Sequence, residues 1–276
     1  MNRVLVMGAS GRLGAYLRQF WPGLAVAPQW QYRANAPAGA LLWAPLQDRV
    51  PDCAPVDTVL CLSGVTQGAA LAQNTDLALA ALEAARALGA RRVVLTSSAA
   101  VYGATCGPHD EDETCHPITP YGVAKLAMER AALAQADMLP VTCLRIGNVA
   151  GADALLGGLA LAGVPRLDQF ADGRAAHRAY IGPMTLARVL AHLCCHPKRL
   201  PSVLNVAQPG LICMDTMLAA AQVAWEWRPA PSTARAELGL HVGRLQALCP
   251  VPHATPESLV SEWRLTWAAS RRNDGA

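Results

Sequence analysis

Charged residues are scarce in this chain of 276 residues: Asp, Glu, Lys and Arg together make up 16%. The formal net charge is only +3, and the basic residues are scattered without a clustered run. Proteins that bind nucleic acid concentrate Lys and Arg on one face, so we expect no nucleic-acid partner. Apolar residues reach 53%, largely as alanine, which is enough for a core of helices packed closely on a sheet.

The chain also lacks a cysteine framework. Its nine cysteines are an odd number without regular spacing, and several stand inside apolar runs. This usage is typical of reduced cytosolic thiols that serve as small hydrophobic residues. Cys194 and Cys195 stand between His192 and His196, at the end of a helical stretch rich in Ala and Leu. The sequence offers no second pair of ligands that would complete a metal site with them. We therefore expect no metal site.

Long apolar runs are absent as well. The stretch from Ala154 to Val164 is too short to span a bilayer and contains two adjacent glycines. The first apolar run, Val4–Met7, is short and leads directly into a glycine-rich turn, which is unlike a secretory leader. These features predict a soluble, cytoplasmic protein that does not associate with membranes.

Strand-like and helix-like segments alternate through the first half, which predicts a parallel sheet with helices on both faces. The predicted strands are Val4–Met7, Leu24–Ala27, Val56–Leu62, Arg92–Thr96 and Val141–Ile146, and the predicted helices are Leu13–Trp21, Asp76–Leu88 and Thr119–Ala136. After Gly151 the periodicity weakens, with helices at Thr185–Cys195 and Met214–Trp225 and a strand at Val203–Val206. We expect one domain over residues 1–150 and a smaller C-terminal lobe over residues 151–276, some segments of which return to the first domain.

A glycine-rich turn follows the first predicted strand and opens the first predicted helix. It reads Gly8-Ala9-Ser10-Gly11-Arg12-Leu13-Gly14. Gly8 permits the tight turn, Gly11 lets a pyrophosphate approach the backbone, and Gly14 permits close packing of helix on strand. The N-terminus of the helix then offers N–H groups and a partial positive charge to the anion. The alternative is a plain tight turn, but the position between strand and helix favours a dinucleotide site and a Rossmann-type, doubly wound sheet.

Tyr121 and Lys125 stand four residues apart on a predicted helix. Thr119 as the N-cap and Pro120 as the first helical residue would place both side chains on one helix face. A free tyrosine has a pKa near ~10, and we expect the Lys125 ammonium together with an oxidised nicotinamide to lower it. Tyr121 could then accept a hydroxyl proton as hydride leaves. The alternative is an exposed surface pair.

The spacing Gly-x-x-Gly-x-x-Gly, followed far downstream by Tyr-x-x-x-Lys, resembles the extended short-chain dehydrogenase/reductases, in the NAD-dependent epimerase/dehydratase family. Three further segments resemble that family's motifs: Thr96–Gly103, Arg145–Val149 and Arg178–Ile181. The resemblance implies that Ser98 hydrogen-bonds the reacting oxygen and that Lys125 also holds the nicotinamide ribose. It further implies cofactor contacts at Ser10, Arg12, Leu13, Leu46, Leu62 and Ser63, and substrate contacts at Asn148 and Arg178.

The second strand should end in an acid that binds the ribose 2′-hydroxyl of NAD, but the residues from Pro28 to Arg33 contain no carboxylate. Arg33 could instead pair with a 2′-phosphate, which favours NADP over NAD, or it is a solvated loop residue. The chain also departs from the family at Pro45, where an Asp is usual, and at Ala179, which follows Arg178 in place of Asp.

The resemblance implies an NAD(P)-dependent enzyme that catalyses reversible hydride transfer on a nucleotide-activated sugar. Epimerase and ketoreductase both fit; a dehydratase ranks lowest because Ala99 and Ala100 supply no additional acid beside Ser98. The alternative is a non-catalytic NAD(P)-binding sensor or accessory subunit, although such proteins often lose Tyr or Lys of the pair. The resemblance also implies a homodimer through paired helices, one of them carrying Tyr121.

Overall fold

The computed structural model describes residues 1–103, 105–136, 139–159 and 164–273. Its strands are β1 (Asn2–Met7), β2 (Val26–Tyr32), β3 (Leu41–Leu42), β4 (Thr58–Cys61), β5 (Arg92–Ser98), β6 (Pro108–His109), β7 (Val141–Ile146), β8 (Asn148–Val149), β9 (Arg166–Gln169), β10 (His177–Ile181), β11 (Val203–Val206), β12 (Leu211–Cys213), β13 (Glu226–Pro229) and β14 (Glu237–Leu240). Its α-helices are α1 (Arg12–Phe20), α2 (Gln73–Ala87), α3 (Pro120–Leu133), α4 (Pro183–Cys195), α5 (Met214–Ala221), α6 (Gly243–Leu248) and α7 (Pro256–Asn273).

The main sheet has seven strands in the order β11-β7-β5-β4-β1-β2-β3. The pairs β1–β2, β1–β4, β4–β5 and β2–β3 are all parallel. The strand order reverses at β1, whose neighbours β2 and β4 lie on opposite sides. Open parallel sheets bind ligands outside the carboxyl ends of their strands at such a reversal. The predicted doubly wound α/β sheet is therefore confirmed.

Burial on both faces explains why the central strands are mostly apolar. The last four residues of β1 and all four residues of β4 are buried, as expected for strands with a helix layer on each face. One hydrophobic cluster joins these strands to α2 and α3, and it includes Leu82, Val93, Met128 and Cys143. Small alanines on α2 let this helix lie close to the sheet, as the composition suggested.

Two predicted elements were misplaced. The second strand was expected at Leu24–Ala27 but runs from Val26 to Tyr32, continuing through Pro28. Proline is tolerated there because β3 pairs only with Gln31 and Tyr32, so β2 has a partner on one side alone at Pro28. The helix expected over Met214–Trp225 ends at Ala221, because Gln222 turns into the left-handed region with φ of 59°.

The chain divides into two compact units. Unit 1 comprises Met1–Gly103, Thr114–Arg145 and Ala187–Leu204, and unit 2 comprises Ala104–Glu113, Ile146–Leu186 and Asn205–Ala276. Unit 2 has its own sheet, β12-β10-β14-β6 with β8 against β10, and the separate pair β9–β13. Its core includes Leu155, Tyr180, Met217, Leu259 and Trp263.

Among the described residues, no helix combines the length and apolar character needed to cross a bilayer.

Candidate active site

The glycine turn lies directly against the loop that follows β4. Gly8 has φ of +82°, and a Cβ added there would lie 2.7 Å from the Ser63 nitrogen and 2.8 Å from Ser63 Oγ. Both the backbone conformation and this close approach require glycine. The turn after β1 and the Ser63 loop after β4 are thereby held together at the carboxyl edge of the sheet.

Gly14 permits the close contact between α1 and the turn. A Cβ at this position would lie 2.4 Å from the Ala9 carbonyl oxygen. Helix α1 begins at Arg12 with Gly11 as its N-cap, and its first turn contains no acidic residue. Ser10, Gly11 and Arg12 are exposed and Leu13 is half-buried. A helix N-terminus with a glycine cap and no neighbouring acid fits a pyrophosphate, so this site suits a dinucleotide.

Gln31 occupies the end of β2, where the sequence lacks the expected acid. Its side chain is 2% exposed, its Oε1 accepts a hydrogen bond from the Gly8 nitrogen at 2.8 Å, and its Nε2 donates to the Trp43 carbonyl at 2.5 Å. Both ends of the amide are therefore hydrogen-bonded to the backbone, and the bond to Gly8 stabilises the glycine turn. Arg33, just beyond the strand, is exposed, and so is Leu46.

The predicted cap of α3 is confirmed. Thr119 accepts a hydrogen bond from the Gly122 nitrogen at 3.1 Å, and Pro120 is the first helical residue. This start orients Tyr121 toward the end of β5, where its side chain hydrogen-bonds with Ser98. Ser98 Oγ also accepts from the Ala100 nitrogen at 3.2 Å, which fixes its position.

Lys125 is 3% exposed and lies one turn beyond Tyr121. Its Nζ donates to the Thr96 carbonyl at 3.0 Å and lies 5.9 Å from the centre of the Tyr121 ring. A Cβ on Gly64, in the loop after β4, would lie 3.2 Å from the same Nζ. Ser98, Tyr121 and Lys125 therefore gather at the strand edge that carries Gly8 and Ser63.

Burial dominates the electrostatics of Tyr121 and Lys125 in the protein alone. Burial raises the pKa of Tyr121, and its hydrogen bond with Ser98 offsets only part of that rise. Burial lowers the pKa of Lys125, an effect partly opposed by Cys61, Cys143 and Glu129. In the protein alone, Lys125 does not bring the pKa of Tyr121 below its ordinary value, because desolvation of the phenol dominates.

The two predicted substrate contacts lie in unit 2. Asn148 in β8 pairs in register with Tyr180 in β10, and their side chains hydrogen-bond. Tyr180 also donates to Asp153 Oδ2 at 2.9 Å. Arg178 donates to three backbone carbonyls, those of His177, Arg235 and Ala236. Burial lowers the pKa of the Arg178 guanidinium.

A comparison with protein families agrees with this geometry. The sequence profile of the NAD dependent epimerase/dehydratase family matches residues 4–160, which is more than half of the chain. The chain belongs to this family.

One relative of this epimerase/dehydratase-family chain is the UDP-glucose 4-epimerase of Azospirillum brasilense, with 34% identity over 174 residues. The match covers 55% of this chain and 50% of the relative, so the chain spans about half of that relative's length. Two solved structures share the fold. MoeE5 in complex with UDP-glucuronic acid and NAD has a TM-score of 0.77 and 22% identity, covering 97% of this chain and 99% of MoeE5. The UDP-glucuronic acid 4-epimerase of Bacillus cereus, with UDP-glucuronic acid and NAD, has a TM-score of 0.77 and 15% identity, covering 97% and 99%.

Sequence reasoning overlooked three polar residues of this family member. Gln31 carried a signal, since it stands beside the place of the missing acid. Asp153 stands in a glycine- and alanine-rich stretch of weak periodicity, and Glu129 stands one turn after Lys125. Their roles depend on hydrogen bonds to distant residues, which spacing does not reveal.

Proposed function

We propose that this chain catalyses reversible hydride transfer on a nucleotide-activated sugar, with NAD(P) as its cofactor. The proposal rests on a series of residue contacts at the carboxyl edge of the sheet. Gly8 lies against Ser63, and the neighbouring Gly64 lies against Lys125. Lys125 stands on α3 with Tyr121 and donates a hydrogen bond to Thr96 of β5, the strand that ends at Ser98. A proton-transfer group thus stands beside a cradle that suits a dinucleotide.

The chemistry divides between cofactor and protein. A bound nicotinamide would supply the acceptor and donor of hydride for the sugar carbon. Tyr121 takes the proton from the sugar hydroxyl and gives it back in the reverse step. Ser98 donates a hydrogen bond to the reacting oxygen and stabilises the negative charge that develops there. Lys125 holds the ribose of the nicotinamide and supplies positive charge near the phenol.

Tyr121→Phe tests the catalytic role. We expect turnover to fall about 10²- to 10⁴-fold, since general acid–base catalysis contributes that much, while the affinity for NADH stays unchanged. Tyr16→Phe, on α1, is the matched control and should retain turnover. The assay follows UDP-glucose and UDP-glucuronic acid by nuclear magnetic resonance and nicotinamide absorbance at once. Unchanged turnover in Tyr121→Phe would refute the assignment.

The same assay separates epimerisation from reduction. An epimerase returns the hydride to the same carbon, so product forms without net change in nicotinamide absorbance, whereas a ketoreductase oxidises its cofactor stoichiometrically. The similarity to a UDP-glucose 4-epimerase supports epimerisation of a UDP-sugar. Absorbance change in step with product would establish the reductase instead.

For the cofactor, we propose a preference for NADP through Arg33. Strand β2 contains no acidic residue, so no carboxylate at its end repels a 2′-phosphate. The Gln31 amide, near that end, is hydrogen-bonded to Gly8 and Trp43. Exposed Arg33 can offer its planar fork to that phosphate. Fluorescence titration should give tighter binding of NADPH than NADH, and Arg33→Ala should remove the difference. The matched control is Arg199→Ala, at an exposed arginine between α4 and β11, which should keep the difference. Equal or tighter NADH binding by the wild type would overturn this preference. The two solved structures described above contain NAD.

We also propose a homodimer that uses α3. Val123 in this helix is 52% exposed and Ile118 just before it is 55% exposed, so apolar surface stands free for burial. Light scattering should give twice the chain mass for the wild type and the single mass for Val123→Glu. A monomeric wild type would refute the dimer.

A further inference from the structure

Glu129 is a buried acid on the same helix as Tyr121 and Lys125. It is 1% exposed, and its Oε1 accepts a hydrogen bond from Ser97 Oγ at 2.5 Å. Arg145 in β7 contacts both carboxylate oxygens, with Nη2 to Oε2 at 2.8 Å and Nε to each oxygen at 3.2 Å. One carboxylate therefore links three elements: β5, α3 and β7.

The network continues on the far side of Arg145. The Arg145 guanidinium lies 4.8 Å from the centre of the Tyr102 ring, in the segment that follows Ser98. Burial alone would lower the pKa of Arg145, but the hydrogen bonds and charge of Glu129 outweigh it and raise that pKa. Ser97, Tyr102 and Arg145 are each nearly inaccessible to solvent. A fully paired and hydrogen-bonded ion pair of this kind fixes geometry more than it adds net stability.

The position of the network relative to the proposed site is its main feature. Ser97 immediately precedes Ser98, and Glu129 follows Lys125 by one helical turn. The Ser97–Glu129 hydrogen bond therefore ties the strand end that carries Ser98 to the helix that carries Tyr121. A relative shift of β5 and α3 would change the distance between the Ser98 and Tyr121 hydroxyls.

We propose that Glu129 is a positioning residue, which acts through Ser97 and Arg145 to hold the Ser98 hydroxyl against the Tyr121 hydroxyl. The inference rests on the proposed function for its catalytic consequence, but the geometry it invokes can be measured without turnover. The charged and titratable groups around Glu129 are Arg145 from β7, Lys125 from α3 and the Cys143 thiol from β7. Among the described residues, Lys125 is the charged group near Tyr121, and the neutral hydroxyl of Ser98 hydrogen-bonds with the phenol.

Ser97→Ala is the first test, because it removes the link between strand and helix and leaves the ion pair in place. The matched control is Thr58→Val, which also removes one buried hydroxyl hydrogen bond in unit 1, from Thr58 Oγ1 to the Cys194 carbonyl at 2.8 Å. The readout is the titration of the Tyr121 phenol by ultraviolet difference absorbance, each variant being corrected with its own Tyr121→Phe counterpart.

In Ser97→Ala we expect the Tyr121 midpoint to move up by about 0.5 to 1 pH unit, because a looser hydrogen bond from Ser98 stabilises the phenolate less. We expect kcat to fall roughly 10- to 100-fold, with KM and the NADH dissociation constant within about twofold of wild type. Thr58→Val should leave the midpoint and kcat unchanged.

Glu129→Gln is the second variant, and it should produce the same upward midpoint shift if it folds. Should it fail to fold, Ser97→Ala decides alone. A Ser97→Ala protein with the midpoint and kcat of Thr58→Val would overturn the positioning role. Full turnover in Tyr121→Phe would instead overturn the proposed function, and the titration of Ser97→Ala would still test the geometry.

Discussion

Replacing Gly14 with alanine should separate α1 from the glycine turn. The added Cβ would lie 2.4 Å from the Ala9 carbonyl oxygen and 2.6 Å from the Ala9 carbonyl carbon and Cα. Ordinary contacts between such atoms are about 3.5–4.0 Å, so helix and turn must move apart by roughly 1 Å. The turn cannot yield easily, because the Ala9 nitrogen donates to the Gln31 carbonyl at 3.1 Å.

The magnitude follows from two opposing effects. Overpacking against backbone costs about 3 kcal/mol, while Gly→Ala inside a helix ordinarily returns up to about 1 kcal/mol. We therefore expect Gly14→Ala to lose roughly 2 kcal/mol in the free energy of unfolding and to bind NADH more weakly.

Two other glycines are matched controls. At Gly243 in α6, an added Cβ meets no other described atom within 4 Å, so Gly243→Ala should be neutral or stabilising by up to about 1 kcal/mol. At Gly11 the nearest atom is the Gly8 carbonyl oxygen at 3.3 Å. Gly11→Ala should keep its stability within about 1 kcal/mol and yet lose at least about tenfold in NADH affinity, because the methyl stands where a pyrophosphate approaches.

Urea unfolding followed by tryptophan fluorescence gives the stabilities, and NADH fluorescence gives the affinities. If Gly14→Ala unfolds at the same urea concentration as Gly243→Ala, the contact between α1 and the turn does not restrict this position. If Gly11→Ala binds NADH as the wild type does, the pyrophosphate does not lie on this turn.

Three further predictions concern Tyr121 and Asp153. Oxidised NAD(P) should lower the midpoint of the Tyr121 titration and reduced NAD(P)H should not, since only the oxidised ring is positive; equal midpoints with both forms would contradict this electrostatic account. Burial raises the pKa of Asp153 above 3.8, so the folded chain holds this proton more tightly than the unfolded chain. Stability is then lost as pH rises from 3.8 through the folded pKa. Asp153→Asn should lack this loss, so the unfolding free energy of the wild type should fall relative to that of the variant over this pH range, and a constant difference would contradict the account. Because Tyr180 bridges Asp153 and Asn148, the same variant should raise KM for a UDP-sugar about 10-fold or more with kcat little changed, and an unaltered KM would count against a substrate role for Asn148.

Local patterns in the sequence were sufficient for much of the fold and for the proposed catalytic residues. The strand at Val141–Ile146 and the strand at Val203–Val206 have the predicted limits, since each is a short, mostly apolar run with turn residues beside it. The start of α3 follows from Thr119 and Pro120, which cap and open a helix by their own chemistry. Because that start is local, it also places Tyr121 and Lys125 on one face.

The amino-acid sequence by itself determined the glycine turn, the alternation of strands and helices, and the helix that carries Tyr121 and Lys125, because each depends on residues within a few positions of one another. Tertiary structure alone decided the hydrogen bond between Gly8 and Gln31, the hydrogen bond between Ser97 and Glu129, and the burial that raises the pKa of Tyr121. The two hydrogen bonds join groups that are 23 and 32 positions apart in the sequence and that meet in the interior of the protein. Hydrophobic periodicity records which face of an element is buried, but not which polar group it meets there.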